Sequence, residues 1–176
     1  MRNRAFAFVA VAVLIASSSL WAQKGGVQVQ PEDKLAKFLP ATVFLDGENV
    51  PTQKRNAVLV EMDGKKAIVS LIDTAGYSSA YQEKYTGVIL TQGPVKIGAK
   101  TLAAGAYGFG QSKAGEHDKA AVTIHVYDIG GNKVAEIPTE READMKGVRP
   151  VQVVAGADGS AKLYLGPYHT TIAAGK

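Results

Sequence analysis

The chain has 176 residues, no cysteine, a formal net charge of +4 and 46% apolar against 20% charged side chains. Without thiols there are no disulfide staples, no thiolate zinc site and no cysteine nucleophile, so a packed core must supply stability. The charge gives no warrant for a nucleic-acid partner: Arg2 and Arg4 supply half of it, and residues 23–176 carry +2 without a basic cluster.

Residues 1–22 start with Arg2 and Arg4, continue as an unbroken apolar run over 5–16 and leave through Ser17-Ser18-Ser19-Leu20-Trp21-Ala22. A charged start, an apolar middle and a small-residue exit predict a secretory signal peptide, cleaved after Ala22. The run is shorter than the roughly 20 residues a membrane span needs. The protein is therefore expected to be exported, periplasmic or extracellular, with no transmembrane segment after cleavage. Residues 23–30 read as a loose polar arm, and residues 31–176 as one domain.

In residues 31–40, Pro31 suits a helix start, Glu32 and Asp33 face the positive end of the dipole, and Pro40 stops the run. Leu35, Phe38 and Leu39 make one apolar stripe, expected to plug the open end of the core. Residues 41–45 are a strand candidate before the turn Asp46-Gly47. Residues 56–72 read as a hairpin about Asp63-Gly64, with Met62 opposite Lys65, Glu61 opposite Lys66, Val60 opposite Ala67 and Val58 opposite Val69. Val58, Val60, Ala67, Val69 and Leu71 then share the core face, and Leu59 and Ile68 the other.

Residues 73–84 read as an irregular connection. Tyr77, Tyr81 and Tyr85 recur every fourth position, which would align them on one helical side. They are candidate ligand-binding residues, a stacking platform for a sugar or peptide. The preferred reading is that they pack over the sheet edge with their hydroxyls in water. Residues 85–111 predict three short strands, over 88–90, 95–97 and 102–110, broken at Gly93-Pro94 and at Gly98-Ala99-Lys100. Gly108-Phe109-Gly110 lacks the third glycine of a dinucleotide fingerprint and instead suggests a bulge or a close backbone approach.

Residues 121–137 predict a hairpin about Gly130-Gly131, with Val122, Ile124 and Val126 on one face, Thr123, His125 and Tyr127 on the other, Asp128 opposite Lys133 and His125 opposite Glu136. An exposed cross-strand pair is preferred there over a catalytic dyad. Residues 139–146 predict a short surface helix, with Thr139 and Glu142 as a capping box. A third hairpin, over 148–155 and 161–165, places Val154 opposite Leu163 and Val153 opposite Tyr164, and residues 168–174 supply a last strand. His117, His125 and His169 lack metal-ligand spacing, so no metal and no cofactor is expected. Glu116-His117-Asp118 reads as a solvated turn.

The segments DKLAKFLPATVFLDG, DTAGYSSAYQEKYTGVILT, VKIGAKTLAAGAYGFG, ADMKGVRPVQVV and KLYLGPYHTTI together resemble an uncharacterised family of small exported bacterial proteins. The likeness covers nearly all of the chain after the leader. It implies a β-sandwich and an export route, and it carries no catalytic residue.

The expected fold is all-β, an antiparallel β-sandwich or flattened barrel of about eight to ten strands with two short helices. The expected function is a non-catalytic binding module for a small molecule, a glycan or an envelope protein. Two other classes stay open. One is a structural or assembly protein of the cell envelope, and the other is a hydrolase with a polar site near Glu116, His117 and His125.

Overall fold

A computed structural model describes residues 26–112, 122–143, 149–156 and 159–176. The leader over 1–22 and the Glu116-His117-Asp118 turn lie outside the described residues. In chain order the elements are β1 (Gln28–Val29), α1 (Glu32–Phe38), β2 (Thr42–Leu45), β3 (Glu48–Met62), β4 (Lys65–Ile72) and α2 (Ser79–Lys84). Then come β5 (Gly87–Thr91), β6 (Val95–Ile97), β7 (Lys100–Leu102), β8 (Gly105–Gln111), β9 (Thr123–Tyr127) and β10 (Lys133–Pro138). The last are β11 (Glu140–Arg141), β12 (Val151–Ala155), β13 (Ala161–Leu165) and β14 (Tyr168–Ala174).

The strands form two antiparallel sheets. The first runs β1-β3-β4-β5-β8-β9-β10 with β2 also on β3, and the second runs β12-β13-β14-β6-β7 with β11 also on β14. The chain is thus an all-β sandwich. It has fourteen strands among the described residues, more than the eight to ten expected, because several are only two or three residues long. Between the sheets lie Val60, Val69, Ile89, Phe109 and Val126 from the first and Val95, Ile97, Leu163 and Ile172 from the second, each at most 2% exposed. Burying each such aliphatic side chain contributes about 1.5–3 kcal/mol. The two sheets approach along both flanks, β12 near β1 and β3, and β7 near β10.

The turns set the registers. Asp46 and Gly47 (φ 51° and 85°) and Asp63 and Gly64 (φ 49° and 73°) are both left-handed pairs, the two-residue turn that matches strand twist. The second yields the expected register, with Met62 on Lys65, Val60 on Ala67 and Val58 on Val69. The first extends β3 back to Glu48, so one 15-residue strand serves two hairpins.

Several expectations are corrected. Residues 27–30 are no loose arm: Gln28 and Val29 pair with Glu61 and Val60, and Val27 is buried. Helix α1 does not plug the end of the core. It lies on the outer face of the first sheet, where Leu35 packs with Leu59 and Ile68, while Phe38 stays 44% exposed with Lys66 Nζ 5.0 Å from its ring centre.

The second helix is α2, not the one expected over 139–146. Thr139 is buried, its amide and hydroxyl both donate to Val122 O, and Glu140 and Arg141 continue as a strand against His169 and Tyr168. A threonine engaged in that way cannot cap a helix. Residues 144–148 lie outside the described residues. No described helix is long and apolar enough to cross a membrane.

Two hairpin registers also differ. Val153 opposes Leu163 and Val154 opposes Lys162, because Gly156 N closes the loop on Ser160 O (2.7 Å), one residue longer than a two-residue turn. That register turns Val151, Val153, Leu163 and Leu165 inward together and leaves Val154 at the surface. In the β9–β10 hairpin, Asp128 N bonds Asn132 O and Tyr127 opposes Lys133, so Asp128 and Lys133 are not partners. A register shift between Lys133 and Ala135 then brings His125 opposite Glu136 after all.

Candidate functional site

The tyrosine row is real but enclosed. Ser78 caps α2 by accepting from Tyr81 N (3.3 Å), which places Tyr77 just ahead of the helix, Tyr81 inside it and Tyr85 at its C-cap. Ring centres follow at 5.1 Å from Tyr77 to Tyr81, 4.7 Å to Tyr85 and 5.3 Å on to Tyr127. Tyr81 and Tyr85 are 8% and 1% exposed, covered by Val43, Leu45 and Val50 of the β2–β3 hairpin. The hydroxyls donate to Asn49 O (2.6 Å), Leu45 O (3.0 Å) and Asp46 Oδ2 (2.9 Å) in row order. Tyr81 and Tyr85 are therefore neither an exposed stacking platform nor rings with their hydroxyls in water, while Tyr77 is half-buried at the outer end of the row. Carbonyls of a folded-over hairpin need donors, and phenols supply them while their rings fill the space beneath.

Asp46 is the node of that arrangement. Its Oδ2 accepts from Lys84 Nζ (2.9 Å) as well as from Tyr85, and Lys84 also donates to Gly131 O (2.9 Å). Lys84 Nζ lies 5.0 Å from the ring centres of both Tyr85 and Tyr127. The Lys84 hydrogen bond, and after it that of Tyr85, hold the Asp46 carboxyl below its ordinary value. Burial pushes the Tyr85 phenol up to about 12 and raises Tyr81 too. Every strong group is satisfied inside the fold, so this is a structural lock between the β2–β3 and β9–β10 turns.

Gly108 and Gly110 mark the close approach expected of them. A Cβ on Gly110 would lie 2.1 Å from Lys84 O, and one on Gly108 would meet Leu45 and Tyr85 side-chain atoms at 2.8 Å.

The expected pair of His125 and Glu136 lies on the outer face of β9–β10, with Nδ1 3.4 Å from Glu136 Oε1. Lys133 bonds the same oxygen, and it is first this contact and then the charge of Lys133, with His125 a lesser cause, that hold the Glu136 carboxyl low. The carboxylate is thus committed to an ammonium, and His125 Nδ1 makes no hydrogen bond. A base oriented by an acid would need a hydrogen bond, which this 3.4 Å approach does not make.

Lys133 and Glu136 also line a cavity of about 260 Å³, and two further cavities lie elsewhere among the described residues. One, of about 260 Å³, is lined by Pro138, Glu140, Lys162 and His169. Its charges are engaged: His169 Nδ1 bonds Glu140 O (3.0 Å), and Lys162 Nζ lies 3.5 Å from Glu142 Oε2.

The other is a cleft of about 230 Å³ on the flank where β12 meets β1 and β3. Sequence reasoning missed it. The ladder of β3 is irregular between Thr52 and Ala57, where Asn56 Nδ2 donates to Gln53 Oε1 (2.7 Å) and Gln53 Nε2 to Ile72 O (3.0 Å). A bulge of this kind re-aims side chains, and here Lys54 and Arg55 reach the cleft, with Arg149 from the segment before β12. All three are exposed, and none is ion-paired among the described residues. The same lining includes buried Leu35 from the outer face of the first sheet and Val58, Val151 and Val153 from the core between the sheets, and Glu32 is the one carboxylate in it.

Three cations against one carboxylate, beside an apolar lining, can hold an anion by charge-assisted hydrogen bonds while sheltering an apolar group. Lys54-Arg55 and Arg149 are far apart in the chain, and only the packed flank unites them. Among the described residues no three His, Asp or Glu side chains gather as a metal site would require. No family model, curated protein or solved structure matches the chain.

Proposed function

We propose that this chain is an exported, non-catalytic binding module whose ligand is a small anion with an apolar part, held in the cleft between β3 and β12. The observation that carries this reading is the meeting of Lys54, Arg55 and Arg149, none of them ion-paired among the described residues, in one lining with buried Leu35, Val58, Val151 and Val153. Arginine is the side chain suited to this task, because its planar fork meets a carboxylate or phosphate with two parallel bonds and cannot lose its proton. The cleft is smaller than the roughly 300–1,000 Å³ typical of drug-sized ligands. It therefore suits a head group and a short apolar stem. Export is supported by the leader pattern of residues 1–22, with its charged start and small-residue exit.

The test is a thermal-shift comparison of octanoate, phenyl phosphate and the neutral octanol and benzyl alcohol. An anion at 100 times its dissociation constant adds about 2.7 kcal/mol, several degrees for a chain of this size. A saturable shift with the anions, absent with the alcohols and lost in the double variant Arg55→Gln, Arg149→Gln, is the expected result. Equal shifts with neutral compounds, or shifts that survive the double variant, overturn it.

A further inference from the structure

Resting on that reading of the cleft, we infer that its ligand is a phosphate monoester bound as the dianion, with an apolar stem on the ester oxygen. The charge balance of the lining sets the charge of the head group. Lys54, Arg55 and Arg149 face Glu32 alone, so the described lining carries two positive charges in excess. A monocarboxylate or a phosphate diester would cancel one of them and leave the other without a counter-ion. A phosphate monoester brings close to two negative charges at pH 7 on one head. A dicarboxylate such as succinate also brings two, but its carbon chain lies between them and leaves no free apolar end for the apolar part of the lining.

The donors come from separate parts of the chain. Lys54 and Arg55 belong to the irregular stretch of β3, Arg149 to the segment ahead of β12, and Gln30 to the link between β1 and α1. Gln30 is held at both its backbone and its side chain: its amide N donates to Leu59 O (2.8 Å), and its Oε1 accepts from Lys34 Nζ (3.0 Å). With its oxygen engaged, that side chain has its NH2 end left to donate. A carboxylate offers two oxygens in one plane. A phosphate monoester offers three strong acceptors around one atom, and an arginine fork spans two of them at once. None of the three cations gives up an ion pair among the described residues to make these bonds.

Calorimetric titration with phenyl phosphate, its methyl diester, octanoate and succinate, at pH 7 and at pH 5, tests this. At pH 7 phenyl phosphate is expected to bind about tenfold more tightly than any of the others. At pH 5 it should lose about tenfold, because its second proton titrates near pH 6. The diester keeps its charge over that range, so its affinity reports any change in the protein itself and should stay level. Arg149→Gln should weaken phenyl phosphate by about tenfold, and because Arg149 is exposed its replacement leaves the core intact. Sedimentation with phosphatidylcholine vesicles holding phosphatidic acid, a monoester, or phosphatidylglycerol, a diester, separates the sources. Capture on phosphatidic acid alone supports the inference with a lipid head group, and phenyl phosphate binding without capture supports it with a soluble ester. Equal affinity for phenyl phosphate and its diester overturns the inference, as does tighter binding of succinate or a phenyl phosphate affinity that ignores pH. Octanoate binding without a response to either monoester overturns it while the anion-binding reading stands. If no anion binds, both fail.

Discussion

Lys84 Nζ lies 2.9 Å from Asp46 Oδ2, tying the last turn of a six-residue helix to the tip of a hairpin 38 positions earlier. The pair is about one-third exposed on each side, so solvent weakens it. It matters because Tyr85 and Gly131 share its atoms. Replacing Asp46 by Asn should destabilise the fold by about 1–2 kcal/mol, within the range for hydrogen bonds to charged groups after screening. A urea titration with an unchanged slope and a lower midpoint is the expected record.

The same carboxylate makes stability depend on acid. Its proton affinity in the fold is below the ordinary 3.8, chiefly through Lys84. As pH falls, the unfolded chain takes up this proton before the folded one does. The stabilisation is thus complete above about pH 4 and is lost as the pH drops through the lower folded value. Asp46→Asn should flatten that part of the stability curve.

At the alkaline end the sign reverses. Burial first, and the neighbouring Asp46 with it, hold the Tyr85 proton up to about 12 against an ordinary 10.0. The unfolded chain gives up its tyrosine protons earlier, so stability falls as pH rises from about 10 towards 12. Tyr85→Phe should keep most of the packing, cost about 1–2 kcal/mol at neutral pH through the lost bond to Asp46, and shrink the alkaline loss. Tyrosinate absorbance followed beside unfolding would separate the two effects.

Gly110→Ala tests the close approach directly. Its new Cβ would sit 2.1 Å from Lys84 O, a backbone atom that no rotamer can move. Strand β8 and the end of α2 must part, at an expected cost of about 1–3 kcal/mol. A neutral result in chemical denaturation would show that the contact is looser than described.

The β12–β13 register has an equally simple check. Val153 is 8% exposed and Val154 48% exposed. Val154→Lys should fall within about 0.5 kcal/mol of the parent, whereas Val153→Lys puts an unpaired ammonium against the core and should prevent folding or cost several kcal/mol. Had Val153 opposed Tyr164, a different set of side chains would have turned inward.

These cases show which parts of the fold the chain announces. Asp63-Gly64 declares both its turn and its length, so every pairing from Val58 to Val69 was legible. Gly159 marks a turn without stating how many residues it closes, and the register built on Asp158-Gly159 slips by one. The pairing of His125 with Glu136 was reached although the loop is longer than two residues, because the shift at Val134 restores the count.

Thr139 and Glu142 carry helix-start chemistry, yet tertiary pairing with Val122 and β14 overrides so local a signal. The polar first half of β3, reading ENVPTQKR, has no apolar alternation to betray a strand. The cleft was illegible for a related reason. Its cations come from a bulge and a loop, and neither has a spacing that a period could reveal.

The second sheet carries a consequence for the order of assembly. β6 and β7 cross to it after Gly93-Pro94, yet the strand β6 needs is β14, where Ile97 meets Ile172 and Val95 meets Ala174. Those partners are separated by nearly half the chain, and contacts of such long sequence separation slow folding. During synthesis the first sheet gains β3, β4, β5 and β8 from neighbouring segments while β6–β7 waits. β14 is thus the strand that closes the second sheet, so loss of residues 168–174 should impair the whole second layer rather than one edge of it.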